Sequence, residues 1–378
     1  MRLFKAMSID AYRQLSAAKL FWLTLGLSGL VVILYGSIGF NDQGVTMLFG
    51  LFDVESEYIT EGSMWARGLY LGIYSNFLVT IWLAWVATIL ALISTCSIFP
   101  EFVSEGSIEL SLSKPITRIR LFMMKYLVSM LFVMLQVSIF CLGIFLCVGL
   151  RLGEWNWMIF VAIPIVSLFY SYLFAVTVLV GMMTKSGIAA LLVTGVFWMT
   201  LFSVSVSEGA LTTIVTGEEV QIERYQESID KQQKQLEEIV SKSPEDFRIE
   251  KREARIEKMK VDNEDSIEFL DKIKPWQTRI SWMLTLLPKN SQTIGLLDRW
   301  LSSDDGFDLA AIMRGDMSEL EEMEDFEPTS HQALHRESNR RLQDEYDGRS
   351  LWYVIGTSII FEGLILGLAS LIFCRRDF

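Results

Sequence analysis

The sequence predicts an all-α membrane protein: six transmembrane helices and one large polar insert. Two observations predict it. Half of the 378 residues are apolar (51%), yet the formal net charge is -12. That charge is also unevenly spread. Glu208–Arg349 holds 33 acidic and 20 basic residues, a balance of -13, and the rest of the chain comes to +1. One part of the chain is therefore suited to a bilayer and the other to water.

Five windows carry no charge: Leu20–Phe40, Gly68–Pro100, Tyr126–Leu150, Trp155–Thr184 and Ser186–Ser207. Ser350–Cys374 is a sixth, broken only by Glu362. Each reaches the roughly 20 residues that cross about 30 Å of hydrocarbon. The first window is too long for a signal peptide, and Asn41-Asp42 supplies no small-residue cleavage site. With the N-terminus inside, one face holds eleven Lys and Arg, and the short loops of the other hold only Arg67 and Arg151. This bias predicts both termini in the cytoplasm and residues 208–349 outside.

Ahead of the first span, residues 1–19 place Leu3, Phe4, Met7 and Leu15 at helical spacing among basic side chains, as in an interfacial helix on the inner leaflet. Residues 20–207 then carry spans one to five. The outside loop Asn41–Arg67 is acidic and shows no motif. Pro164 is expected to bend the fourth span by removing a backbone hydrogen bond. Met183–Gly187 leaves room only for a tight turn before the fifth.

The insert, residues 208–349, opens with a heptad run. Val215, Ile222, Ile229 and Leu236 are spaced by seven, and after Ser243-Pro244 a second run sets Ile249, Ile256, Asn263 and Leu270 in the same way. Two such helices joined by a capped turn predict an antiparallel coiled-coil hairpin over residues 215–273, with Ile222, Ile229, Leu236, Ile256 and Leu270 in the seam. Lys274–Leu301 carries Trp276, Trp282 and Trp300 and reads as lying on the outer leaflet. Asp304–Glu327 reads as a solvated acidic loop. A helix from His331 to Tyr346 then leads to the last span and tail, residues 350–378.

The chemistry is sparse. No Gly-x4-Gly-Lys-Ser/Thr loop occurs, so the chain is not expected to cradle ATP, and HExxH, Gly-x-Ser-x-Gly and CxxC are missing too. The reading is of a protein that is not an enzyme, binds no cofactor of its own and has no nucleic-acid partner. Cys96, Cys141, Cys147 and Cys374 all fall in or beside spans, so no disulfide is expected in the insert. His331 and His335 are four apart and could share a metal, but two ligands are half a site, and they read as surface histidines. Glu362, mid-span, is costly unless it is neutral, paired or in a wet cavity. It is read either as lining a substrate path or as hydrogen-bonded to a neighbouring helix.

The segment from Glu101 to Lys125 is the most specific feature. It reads Glu-x3-Glu-Gly-Ser-Ile-Glu-Leu-x-Leu-Ser-Lys-Pro-Ile-x-Arg, followed by a Lys and a new span. It resembles permeases of the type-2 ABC exporter family (ABC-2), which includes copper-enzyme-maturation-like permeases. The N-terminal interfacial helix, the six spans and the ending Arg375-Arg376-Asp377-Phe378 add to the likeness, which covers about residues 1–207 and 280–378. The resemblance implies that residues 101–118 form a coupling helix on a separate cytoplasmic ATPase. Glu101, Glu105 and Glu109 would make an acidic stripe, with Ile108, Leu110 and Leu112 as apolar grip and Lys114 and Arg118 beside them. It further implies two ATPase copies carrying ATP and Mg, a second permease subunit (the same or a different chain), and a bacterial inner membrane. What is moved, substrate or force, stays open, and the insert is a departure from the family. The other reading is a non-transporting scaffold whose outside coiled coil binds or regulates an envelope protein.

Overall fold

The computed structural model describes residues 19–56, 58–103, 117–242, 248–301 and 330–375. Of the described residues, 86% are helical. The N-terminal interfacial segment, most of 101–118, the turn at 243–247, the acidic stretch 304–327 and the last three residues lie outside the described residues.

Helix α1 (Lys19–Gly36) is the first apolar run. It is shorter than the charge-free window, because the chain leaves the helix at Gly36-Ser37. There the Arg151 Nε donates to the Gly36 carbonyl at 2.9 Å, and Ser37 Oγ donates to the Leu34 carbonyl at 2.6 Å. These bonds occupy carbonyls that a continuing helix would have used.

The supposedly motif-free loop is a small antiparallel sheet, β1 (Gly39–Asn41), β2 (Gly44–Met47) and β3 (Phe52–Glu55), in the order β1-β2-β3. Phe40 faces Val45 across the first pair, and Val45 faces Val54 across the second. Gly44 is required here: its φ is +143°, and a Cβ would stand 2.1 Å from the Val54 carbonyl oxygen.

Helix α2 (Met64–Phe102) starts under a Ser63 cap, whose Oγ accepts the Ala66 N–H at 3.1 Å. Its middle, Ile73–Ala87, is π-helical, and Ile98–Phe102 forms a last short turn. Tyr35 and Tyr70 tie it to α1: the rings stack at 4.2 Å, and the Tyr35 hydroxyl donates to the Tyr70 carbonyl at 2.9 Å.

Helix α3 (Arg118–Leu152) stops at Gly153, which is left-handed at φ 73°. A 3-10 turn, Trp157–Val161, leads into α4 (Ala162–Thr184). Pro164, expected to bend the span near its outer third, falls in the first turn of α4, where its missing N–H costs least. Lys185 turns the chain in a left-handed conformation (φ 54°), its N–H bound to the Gly181 carbonyl at 2.9 Å.

Helix α5 (Gly187–Lys242) runs 56 residues without a break, so the fifth apolar window and the first heptad run share one helix. Helix α6 (Arg248–Leu286) contains Pro275 without ending there. Helix α7 (Asn290–Leu301), helix α8 (Ser330–Gly348) and helix α9 (Thr357–Arg375) complete the chain, with a π turn at Trp352–Gly356 before α9.

Two compact units result. One comprises the described residues up to Phe202, Leu287–Leu301, and everything from Leu351 on. The other comprises Ser203–Leu286 and Ser330–Ser350. The division falls at 202/203 and 350/351, beside the expected insert limits of 208 and 349, and it divides the stretch 274–301 between the two units. Residues 274–286 extend α6, whereas α7 joins the first unit, with Ile294, Leu296 and Leu297 in its core.

Among the described residues, five helices are long and apolar enough to cross a membrane, and Phe21–Gly36 is a shorter apolar helix. Their outward faces are apolar: Leu150 is 78% exposed and Ile188 74%, with Val196, Ile360 and Leu364 similarly bare. Such faces would aggregate in water but are solvated by hydrocarbon.

Candidate functional site

One end of the first unit collects the ends of α2, α4 and α9 and the starts of α3 and α5. A ring cluster holds it. Phe102 stacks on Phe373 at 5.7 Å, Phe122 lies 5.9 Å from Phe373, and Phe99 meets Phe122 at 5.4 Å and Phe174 at 6.1 Å. Each such pair contributes roughly 0.5–1.5 kcal/mol beyond its buried area. The packing is close enough that a Cβ on Gly187 would lie 3.1 Å from the Cα of Ser97. Lys125 is buried with its Nζ 5.7 Å from the Phe102 ring centroid.

Both visible ends of the proposed coupling segment belong to this cluster. Glu101 is exposed on the last turn of α2, its N–H bound to the Ser97 carbonyl at 2.9 Å. Arg118 is the first residue of α3, and one of its guanidinium nitrogens donates to the Cys374 carbonyl at 3.1 Å. That carbonyl lies in the last turn of α9, where backbone acceptors are exposed and a cation is favoured. Thr117, before Arg118, is extended (ψ 141°). Thus Glu101 and Arg118 sit on the flanking helices. Glu105, Ile108, Glu109, Leu110, Leu112 and Lys114 lie outside the described residues.

Glu362, half-buried on α9, accepts from two neighbouring helices. The Tyr126 hydroxyl of α3 donates to Oε1 at 2.7 Å, and the Ser171 hydroxyl of α4 donates to Oε2 at 2.9 Å. Two donors offset the cost of a carboxyl group between apolar helices. Two further polar ties had no counterpart in the sequence reading: Thr95 with Tyr170 at 2.6 Å and Thr177 with Thr194 at 3.0 Å. Hydroxyls in apolar runs are common and carry no pattern.

In the second unit, α5 and α6 run antiparallel. Lys274 reaches Glu219 at 2.9 Å, while Arg252 donates to Gln235 at 2.7 Å and Gln232 at 3.1 Å. Ile229 and Ile256 are 8% and 6% exposed, and Ile222, Leu236 and Leu270 are half-buried. Asn263, at its heptad position, has a buried Oδ1 with no partner among the described residues. Helix α8 adds a third member. Arg341 forms a two-pronged bond with Glu223 at 2.9 and 2.6 Å, and Arg349 binds Glu208 at 2.6 Å. The Arg341 guanidinium holds the Glu223 carboxyl below its ordinary range, against a slight opposing effect of burial.

His331 and His335 fall on α8, but their side chains lie outside the described residues. Among the described residues, no group of three His, Cys, Asp or Glu could hold a metal ion. All four cysteines are free thiols.

A family model described as "ABC-2 family transporter protein" matches residues 6–377. The match runs through the insert as well, beyond the 1–207 and 280–378 that carry the sequence resemblance. No match was found among curated proteins or among solved structures. Long apolar helices with bare apolar faces, matched nearly from end to end by that model, place this chain among the integral membrane proteins of the ABC-2 transporter family.

Proposed function

We propose that this chain is the permease subunit of a bacterial inner-membrane ABC system, with both termini in the cytoplasm. A separate ATPase, present in two copies and carrying ATP and Mg, docks on residues 101–118. A second permease subunit completes the assembly. The chain itself hydrolyses nothing and holds no cofactor. The observation that carries this reading is the clamp at the two ends of that segment. A load applied between Glu101 and Arg118 meets α2 and α3 at once, and reaches α9 through the Arg118–Cys374 bond and the Phe373 rings.

Export of a substrate and transmission of force to an envelope protein remain the two forms of this reading. A passive scaffold, the third reading, would not need the segment to bind an ATPase. Glu105→Lys with Glu109→Lys is expected to abolish co-purification with the ATPase, or to uncouple its activity, without loss of membrane insertion. Unchanged binding together with unchanged stimulated ATPase activity would remove the assignment.

A further inference from the structure

The last three turns of α6 have a bare face that the proposed function does not use. Trp276, Arg279, Trp282, Met283 and Leu286 share it, at steps of three and four residues. Trp282 is 71% exposed and Leu286 78%, while Leu284 on the inner side is buried. A helix in water gains nothing from large apolar side chains left this bare. Beyond Asp271, α6 carries no acid, and its cations there are Lys272, Lys274 and Arg279. Glu268 holds Lys272 at 2.6 Å, and Glu219 holds Lys274 at 2.9 Å. Arg279 meets no acidic side chain among the described residues, and its guanidinium lies 5.1 Å from the Trp276 ring centroid.

Where this face lies follows from the antiparallel pairing of α6 with α5. Lys274 meets Glu219, and the Gln277 amide donates to Thr212 Oγ1 at 3.4 Å. Each further step along α6 meets one residue earlier on α5, so Trp282–Leu286 run alongside residues 203–211. That is the end of the charge-free run Ser186–Ser207, whose Met199 and Val206 are also exposed. Hydrocarbon has to cover that run, and its edge therefore falls beside Leu286. Arg279 stands about 10 Å further along the helix. A headgroup layer is roughly 5–8 Å thick, so the long Arg279 side chain reaches the phosphates. Trp is the residue that suits the layer between.

We propose that the end of α6 binds phospholipid of the leaflet from which α5 emerges. Trp282, Met283 and Leu286 sit among the outermost part of the acyl chains, and the Arg279 guanidinium pairs with a lipid phosphate. A guanidinium meets a phosphate with two parallel N–H donors and is more weakly hydrated than an ammonium. The Trp276 ring beside it limits its freedom before the lipid arrives. The contact narrows the leaflet surface expected over Lys274–Leu301 to three turns and gives it a ligand. It requires a chain embedded in a bilayer and does not depend on coupling to an ATPase.

The test uses the full-length protein in phosphatidylcholine nanodiscs doped with two photoreactive lipids in turn. One is a phosphatidylcholine with a diazirine in its acyl chain, the other a phosphatidylethanolamine with an aryl azide on its headgroup. Adducts are mapped by peptide mass spectrometry. The acyl probe is expected to label residues 282–286 as well as the exposed face of α5 around Met199, and to leave 222–263 unlabelled. The headgroup probe is expected to label residues 275–286. Arg279→Glu should lower that headgroup labelling at least fivefold, and Arg279→Lys should keep more than half of it. Arg279 is exposed, so neither change disturbs the fold. An unlabelled 282–286 beside a labelled α5 would overturn the proposal. Protection of Trp282 and Met283 from hydroxyl radicals in the same sample would then identify a protein, such as a second copy of this chain, as the cover. Headgroup labelling that is equal in Arg279→Glu and the parent would overturn the proposal too, as would acyl labelling spread evenly along α6.

Discussion

Arg349→Met is a test of what holds α8 to α5. Arg349 and Glu208 meet at 2.6 Å, with their side chains only 17% and 5% exposed, so both charges have largely left water. Removing one partner from a buried pair costs about 3–5 kcal/mol, because the other charge stays behind uncompensated. Arg349 keeps some contact with solvent, which argues for the lower figure, about 3 kcal/mol. At 1.4 kcal/mol per decade, that is roughly a hundredfold in the opening equilibrium. Amide hydrogen exchange of the full-length protein, read on peptides covering 330–348 and 208–223, measures that equilibrium directly where opening is fast. A second variant, Glu208→Leu with Arg349→Met, removes both charges and should return exchange to within about tenfold of the parent. If the single variant exchanges like the parent, the pair is not a clamp. If the double variant is as open as the single one, the stacking of the Arg349 guanidinium on the Tyr346 ring at 4.7 Å, and not the ion pair with Glu208, is responsible.

Ile229→Ala with Ile256→Ala should open the α5–α6 seam, at about 2–4 kcal/mol for each buried side chain lost, with some non-additivity because the two lie near one another across it. Protease cleavage between residues 222 and 263 should rise, and an unchanged digest would mean two independently solvated helices. Glu223 gives a pH test. Its folded-state carboxyl titrates below its ordinary range, so the stabilisation from Arg341 is full above the unfolded-state value and is lost as pH falls through the lower folded one. Both groups are substantially exposed, so the change is at most about 1 kcal/mol. Acid-induced loosening of α8 should shrink in Glu223→Gln, and an identical acid response in both proteins would remove the assignment.

The apolar helices were legible because hydrocarbon demands long uncharged runs, and such runs are visible in any single chain. Their ends were less legible. The window to Phe40 contains a helix only to Gly36, since Arg151 takes the Gly36 carbonyl from 115 residues away. Strands of three or four residues, such as Gly44–Met47, are too short to establish an alternating pattern. The packing of Leu287–Leu301 was not legible for a related reason. Lys289, Asp298 and Arg299 make it look like surface, yet Thr357 and Tyr353 give Lys289 a buried place that only tertiary structure reveals. Glu362 stood out as the one charge in its span, but Tyr126 and Ser171 lie 236 and 191 positions off and left no trace near it.

The ties between helices also decide which of them can respond together. Helices α3 and α9 are joined at two levels, by Arg118 and Phe122 at their shared end and by Tyr126 with Glu362 further along. Two contacts at different heights fix tilt as well as position. Their connections include hydrogen bonds to a backbone carbonyl and to a carboxyl group, the stronger kind where a charged group takes part. Helix α4 is tied to α2 by Thr95 with Tyr170 and by the Phe99–Phe174 rings, and to α5 by Thr177 with Thr194 and by the Phe169–Trp198 rings. Hydroxyl pairs in membranes average only about 0.6 kcal/mol, so the rings carry much of each contact. Helix α9 packs more extensively on α4 than on α3, and the Tyr126 hydroxyl of α3 also donates to the Ser171 carbonyl of α4 at 3.3 Å. Glu362 therefore sits where α3, α4 and α9 are joined to one another, and a displacement of one of them is shared by the other two.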